Sequence, residues 1–218
     1  MVFDLDGTLI DSRADLAAST NDTLVSYGAM ALPDAQVTSF VGDGARTLVS
    51  RAIQAAGLPV DLLDTALARF LEIYNGRLME RTRPYDGVDE VLEHALTAGA
   101  ALGVITNKPQ APTDRLLHAF GLAAHFRWVI GGDTEFPRKS DPASLIWIMS
   151  QAGVLPECTL FVGDSQVDAD TARQAGAHFC LADYGFGQEH HVTTLLPDEF
   201  RAISVRDITS AIALVGAR

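Results

Sequence analysis

Apolar residues change their spacing near residue 83, and that change divides the chain into two kinds of structure. Between residues 12 and 82 they recur every three or four positions, the period of a helix with one buried side. Leu16, Leu24 and Tyr27 mark a first helix, which Ser12 is placed to cap and Gly28 to stop. Pro33 and Asp34 suit the first turn of a short second helix with Val37, Phe40 and Val41. Leu48, Val49, Ala52, Ile53 and Ala56 form a third, which meets Gly57. A fourth begins near Asp61 and sets Leu63, Ala66, Leu67, Phe70, Tyr74 and Leu78 on one side. Four amphipathic helices with short links predict a compact bundle.

From residue 83 onward, short unbroken apolar runs alternate with helical patterns. The runs are Ala101–Ile105, Trp128–Ile130, Leu160–Val162 and Phe179–Leu181. Helices are expected at 86–98, 111–120, 141–152, 168–175 and 206–215. Unbroken apolar runs between helices indicate parallel strands buried on both faces. With a first strand at residues 1–4, they predict a doubly wound α/β sheet of about five strands. Only Met1, Val2 and Phe3 precede Asp4, fewer than the roughly 5–6 residues usual in a strand. The expected organisation is an α/β core of residues 1–14 and 83–218, with the helical segment 15–82 inserted after the first strand.

Composition narrows the partners. Of 218 residues, 48% are hydrophobic and 20% charged, with a net charge of -12. That supports a globular core and argues against nucleic acid or an anionic membrane, both of which need clustered Lys or Arg. A small anion responds instead to the local field of its site. Cys158 and Cys180 have no metal-type spacing and are expected as reduced core thiols. No apolar run approaches the roughly 20 residues of a membrane span. The first residues lack the features of a signal peptide, since Asp4 and Asp6 interrupt the apolar start. A cytoplasmic monomer or homodimer is the expectation.

In open parallel sheets, ligands bind beyond the carboxyl ends of the strands. Here those ends carry Asp4-Leu5-Asp6-Gly7-Thr8, then Thr106-Asn107-Lys108, then a loop with Lys139, then Gly163-Asp164-Ser165 with Asp168. Asp4, Asp6 and Asp164 would repel one another if gathered without a cation, and hard oxygen ligands suit Mg²⁺. Lys139 and the Thr106 hydroxyl suit the oxygens of a phosphoryl group. Backbone N–H groups of the turn after Asp4, beginning at Leu5, add donors, and Gly7 permits the tight geometry.

These four segments, in this order, resemble the motifs of the haloacid dehalogenase superfamily across essentially the whole chain. The resemblance implies a Rossmann-like core with an inserted helical cap, and it implies roles. Asp4 would be the nucleophile and Asp6 the general acid and base. Asp4, Asp164 and the Asp6 carbonyl would hold Mg²⁺. Thr106 and Asn107 would bind phosphate, and Lys139 would neutralise charge. Asp168 would orient Lys139 or metal-bound water from behind, beside Ser165. Two longer stretches, Val129–Thr134 leading to Arg138–Pro142, and Phe40–Arg46 followed by Arg51, resemble phosphoglycolate phosphatases. That points to 2-phosphoglycolate as substrate, with Arg46 or Arg51 meeting its carboxylate, Arg46 in preference because it adjoins the Gly-rich loop. Two departures stand out: Ser140 replaces a usual Pro, which should loosen the Lys139 loop, and Asp43 replaces a usual Asn.

Other readings compete. The substrate could be a sugar phosphate, a nucleotide or pyrophosphate. The enzyme could be a sugar phosphomutase of the β-phosphoglucomutase type, or the chain a non-catalytic binding protein. Arg46 and Arg51 could serve only salt bridges, and His190-His191 reads as a surface loop. Gly42-x-Gly44 is too short for a dinucleotide signature. Trp128 and Trp147 read as core.

Overall fold

The computed structural model describes residues 1–186 and 194–216, the last four of these as backbone only. The chain divides into two compact units, Met1–Ile10 with Pro84–Arg218, and Asp11–Arg83.

The first unit is built on six parallel strands. They are β1 (Val2–Phe3), β4 (Gly103–Ile105), β5 (Trp128–Ile130), β6 (Leu160–Gly163), β7 (His178–Ala182) and β8 (Phe200–Ala202). Their spatial order is β5-β4-β1-β6-β7-β8, with every neighbouring pair parallel. Two further strands, β2 (Ile10–Asp11) and β3 (Arg83–Pro84), make a separate two-stranded sheet. The chain builds outward from β1 to β4 and β5, then returns to the other side of β1 for β6. The ends of β1 and β6 therefore lie side by side where the order reverses, which is where an open sheet leaves a crevice.

Register explains the core. Val2 pairs with Phe161, and Phe161 with Phe179, so the three side chains share one face of the sheet. They pack there against Ile148 and Met149 of α7 (Ala143–Ala152) and Ala169 and Ala172 of α8 (Gln166–Ala175). Also in this unit, α5 (Val88–Thr97) packs on α9 (Ile208–Gly216). The unit is completed by α6 (Gln110–Ala119).

The sequence pattern missed β8. Its Phe200-Arg201-Ala202 is not an apolar run, because an edge strand needs no second buried face. Arg201 instead reaches Asp183 at 3.0 Å. The two tryptophans also differ from expectation. Trp128 only flanks the core, and Trp147 on α7 is exposed, leaning on Phe136 with ring centroids 5.4 Å apart. Cys180 is buried as expected, but Cys158 is exposed. The pair His190-His191 lies outside the described residues.

The second unit contains α1 (Arg13–Ser26), α2 (Asp34–Thr38), α3 (Ala45–Ala55) and α4 (Leu63–Arg77). Gly28 and Gly57 follow α1 and α3 in the left-handed conformation expected of helix stops. Ser12 occupies the N-cap position of α1 but makes no capping bond with its side chain. Asp11 accepts instead from the Arg13 backbone N–H at 3.1 Å and from Arg13 Nη2 at 2.6 Å. Residues 11–14 group with this unit.

A carboxylate that the sequence pattern had not singled out joins the two ends of this unit. Asp15 is fully buried. It accepts from the Arg81 N–H at 3.0 Å, the Thr82 N–H at 2.8 Å and the Thr82 hydroxyl at 2.7 Å. A buried carboxylate is tolerable only when its oxygens are met in this way. Among the described residues, no helix is long and apolar enough to cross a membrane.

Candidate active site

Apart from Arg46 and Arg51, the residues named from the sequence gather in the crevice at the ends of β1, β4 and β6. The Asp4 N–H donates to Val162 O at 2.9 Å, so the β1–β6 ladder continues through Asp4. The chain then turns sharply. The Leu5 carbonyl accepts from the N–H groups of Leu9 at 2.9 Å and Ile10 at 3.1 Å. Gly7 makes this turn possible, with φ at +86°, and a Cβ there would overlap the Asp164 carboxylate. Asp164 is held from the other side by the Phe186 N–H at 2.8 Å.

Lys139 lies at the centre. Its ammonium is 2.7 Å from Asp4 Oδ1 and 2.6 Å from Asp168 Oδ1. The other Asp168 oxygen accepts from the Ser165 hydroxyl at 2.6 Å and the Ser165 N–H at 3.0 Å. Ser165 in turn caps α8 through the Asp168 N–H, a reciprocal capping box. One interaction therefore starts a helix and fixes the carboxylate that aims Lys139. Asn107 contributes from the β4 loop: its amide accepts from the Lys139 N–H at 3.0 Å and donates to the Lys139 carbonyl at 3.2 Å. Gln174 donates to the Ser140 carbonyl at 3.1 Å. These bonds restrain the loop that Ser140 was expected to loosen.

Thr106 is buried, and its hydroxyl accepts from the Lys108 N–H at 3.2 Å. The side chain of Lys108, given no role from the sequence, meets Asp6. Its Nζ is 3.0 Å from both Asp6 oxygens, with the lysine side chain 4% and the aspartate side chain 13% exposed. Position in the Thr106-Asn107-Lys108 segment was the available signal, but a lysine beyond a strand end is ordinarily a solvated one.

Burial sets the protonation of the cluster. Asp4 is pushed up to about 6, chiefly by burial, with Lys139 pulling it down and Asp168 pushing it up. Asp164 is raised well above the usual carboxylate range by burial and by the charges of Asp168 and Asp4. For Lys139, burial alone would lower the value, but Asp168 and Asp4 outweigh it and raise it. Oxygens of Asp4, Asp164 and Asp168 lie within 4.8 Å of one another. Asp4 Oδ1 is buried against the Lys139 ammonium. Once ionised, three carboxylates against one ammonium leave two negative charges uncompensated, so the donor set fits a hard divalent cation. Both Asp168 oxygens are already engaged, which makes Asp4 and Asp164 its fitting side-chain ligands.

The arginines named from the sequence belong to the helical unit and are engaged within it. Arg51 lies 2.6 Å from Asp43 and donates to the Phe40 carbonyl at 3.1 Å, so it holds the 40–44 loop and compensates the charge of Asp43. Arg46 is 2.8 Å from Asp64 in an exposed pair.

An aspartate-bearing crevice at the reversal point of a parallel sheet, after a first strand interrupted by a helical insertion, defines a class of hydrolase. The model of the haloacid dehalogenase-like hydrolases matches residues 1–182, and the chain belongs to that family. Its relatives place it with the phosphatases. It is 38% identical over 209 residues to phosphoglycolate phosphatase 1 of Pseudomonas aeruginosa, covering 92% of this chain and 76% of the relative. It is 40% identical over 195 residues to a phosphoglycolate phosphatase of Rhodospirillum rubrum, covering 87% and 81%. The crystal structure of a predicted phosphoglycolate phosphatase from Haemophilus somnus 129PT superposes with a TM-score of 0.85, at 31% identity and 96% coverage of each chain.

Proposed function

We propose that this chain is a Mg²⁺-dependent phosphomonoester hydrolase that works through an aspartyl-phosphate on Asp4, with 2-phosphoglycolate as its substrate. The observation that carries the reading is the buried Asp4–Lys139–Asp168 array beside Asp164. A buried carboxylate held against an ammonium is a nucleophile fixed in place, and fixed placement removes much of the entropic barrier.

The steps follow from the residues. An Asp4 oxygen attacks phosphorus, the new O–P bond forms, and the ester P–O bond breaks. Asp6 gives its proton to the departing alkoxide oxygen. It then takes a proton from water, which attacks phosphorus, releases phosphate and restores the Asp4 carboxylate. Lys139 balances the negative charge between nucleophile and phosphoryl group, with Asp168 and Ser165 holding its direction. The Thr106 hydroxyl and the backbone N–H groups of Leu5 and Asn107 serve as donors to the phosphoryl oxygens. Asp4, Asp164 and the Asp6 carbonyl would hold Mg²⁺, which supplies positive charge for the phosphoryl oxygens. The helical unit takes the part of a substrate-selecting cap. The substrate is assigned from the names of the relatives and from the two stretches that resemble theirs.

The test is a screen for phosphate release over phosphorylated metabolites, including phosphoglycolate, sugar phosphates, nucleotides and pyrophosphate, with and without added Mg²⁺. Release from phosphoglycolate that stops in excess chelator is expected. Full activity in chelator rejects the metal, and isomerised sugar phosphate without release indicates a mutase.

A further inference from the structure

Residues 183–186, just after β7, belong to none of the four segments named from the sequence, yet they close over the turn that follows β1. Three contacts hold them there. The Tyr184 hydroxyl donates to the Thr8 carbonyl at 2.8 Å. Gly185 lies so close to the Gly7 carbonyl that a Cβ at residue 185 would overlap it and press on the Asp164 side chain. The Phe186 N–H donates to Asp164 Oδ2 at 2.8 Å. That same oxygen sits against Gly7, where a Cβ would overlap it and touch the Phe186 ring. The loop is braced from behind as well. The Asp183 N–H donates to the Ala202 carbonyl at 2.9 Å, and the Asp183 carboxylate lies 3.0 Å from Arg201. The Tyr184 ring meets Tyr85 edge to face, with centroids 5.1 Å apart.

This packing fixes the direction of one side chain. Asp164 is buried, and an oxygen of it lies within 4.8 Å of oxygens of Asp4 and Asp168. A carboxylate that turns freely loses that freedom when it takes a cation, whereas one already held does not. We infer that residues 184–186 are positioning residues for the cation site: they keep the Asp164 carboxylate turned toward Asp4, so that both ligands are set before a divalent cation arrives. They act through Asp164, as a partner behind a metal ligand does. Gly185 is required in this arrangement, because only a residue without a Cβ brings the chain close enough to Gly7 for the Phe186 N–H to reach the carboxylate. The inference rests on the phosphatase reading, in particular on Asp164 as a ligand of Mg²⁺.

The test measures Mn²⁺ binding from the EPR signal of the free ion, beside phosphate release from 2-phosphoglycolate as Mn²⁺ is raised. Gly185→Ala should raise the Mn²⁺ Kd about ten- to a hundredfold, the usual cost of losing a partner behind a metal ligand. Saturating Mn²⁺ should then recover most of the turnover. Tyr184→Phe removes a single hydroxyl and should raise the Kd about two- to tenfold. A folded Gly185→Ala with the wild-type Kd overturns the inference. So does one whose turnover saturating Mn²⁺ fails to recover, since that is general damage to the site. If Gly185→Ala does not fold, Tyr184→Phe decides, and a wild-type Kd there is the overturning result. A wild type that takes up no Mn²⁺ refutes the metal reading itself. A wild type that binds Mn²⁺ and releases phosphate, with a Kd indifferent to both substitutions, refutes the positioning role alone.

Discussion

Replacing Asp4 by Asn should stop turnover and at the same time make the metal-free protein more stable. In the folded chain the Asp4 carboxyl titrates near 6, against an ordinary 3.8, because burial and the nearby Asp168 outweigh the attraction of Lys139. The folded state therefore holds a proton more tightly than the unfolded chain, and the sign of the linkage follows. Below about pH 3.8 both states are protonated and Asp4 costs nothing. As pH rises the unfolded chain gives up its proton first, and stability falls until about pH 6, above which the full penalty remains. A shift of about two units, at about 1.4 kcal/mol each, puts that penalty near 3 kcal/mol at pH 8 and roughly half as much at pH 5. Asn has the shape of the neutral acid and escapes the penalty, while Lys139 keeps Asp168 at 2.6 Å. For a chain of this length, about 2–4 °C of melting temperature accompanies each kcal/mol. Thermal unfolding in excess chelator should then show the Asn variant melting roughly 6–12 °C above wild type at pH 8, with a clearly smaller gap at pH 5. A variant no more stable than wild type at pH 8, or a gap that does not shrink with pH, would refute this placement of charge at Asp4.

Gly7→Ala sets a Cβ against the Asp164 carboxylate and strains a backbone at φ +86°; a loss of at least about 2 kcal/mol in denaturant unfolding, with loss of phosphatase activity, is expected. Normal activity in that variant would mean that the turn is not needed in this form. Asp15→Ala leaves the Arg81 and Thr82 N–H groups and the Thr82 hydroxyl without their acceptor, and urea unfolding should report a loss of about 2–4 kcal/mol. Arg46→Ala tests whether Arg46 meets a carboxylate of the substrate. Arg46 is paired with Asp64 in an exposed ion pair, so kcat/KM for phosphoglycolate, relative to an ester of the same size without the carboxylate, should change by about fivefold or less; a larger loss would assign that carboxylate to Arg46.

Much of the site was legible because its chemistry falls where strands end. Asp4, Thr106 and Asp164 each follow an apolar run, and a run buried on both faces is visible in a linear sequence. Helix stops such as Gly28 and Gly57 were equally visible, since few other residues adopt their left-handed backbone readily. The strand β8 was not, because its Arg201 breaks the apolar run without harm at a sheet edge. Trp147 and Cys158 misled for a related reason: residue type states a tendency to be buried, and position in the packed unit decides.

The order of residues along the chain determined that an interrupted α/β sheet would form and that carboxylates, a hydroxyl and a lysine would meet at one edge of it. Periodicity and strand-end position are local properties, readable one segment at a time. Folding alone decided the pairings: Lys139 with Asp4 and Asp168, Lys108 with Asp6, Arg51 with Asp43, and Asp15 with the far end of its unit. Charge pairing depends on distances of about 3 Å between side chains that can be a hundred residues apart, as Asp6 and Lys108 are, and a linear pattern carries no such distance.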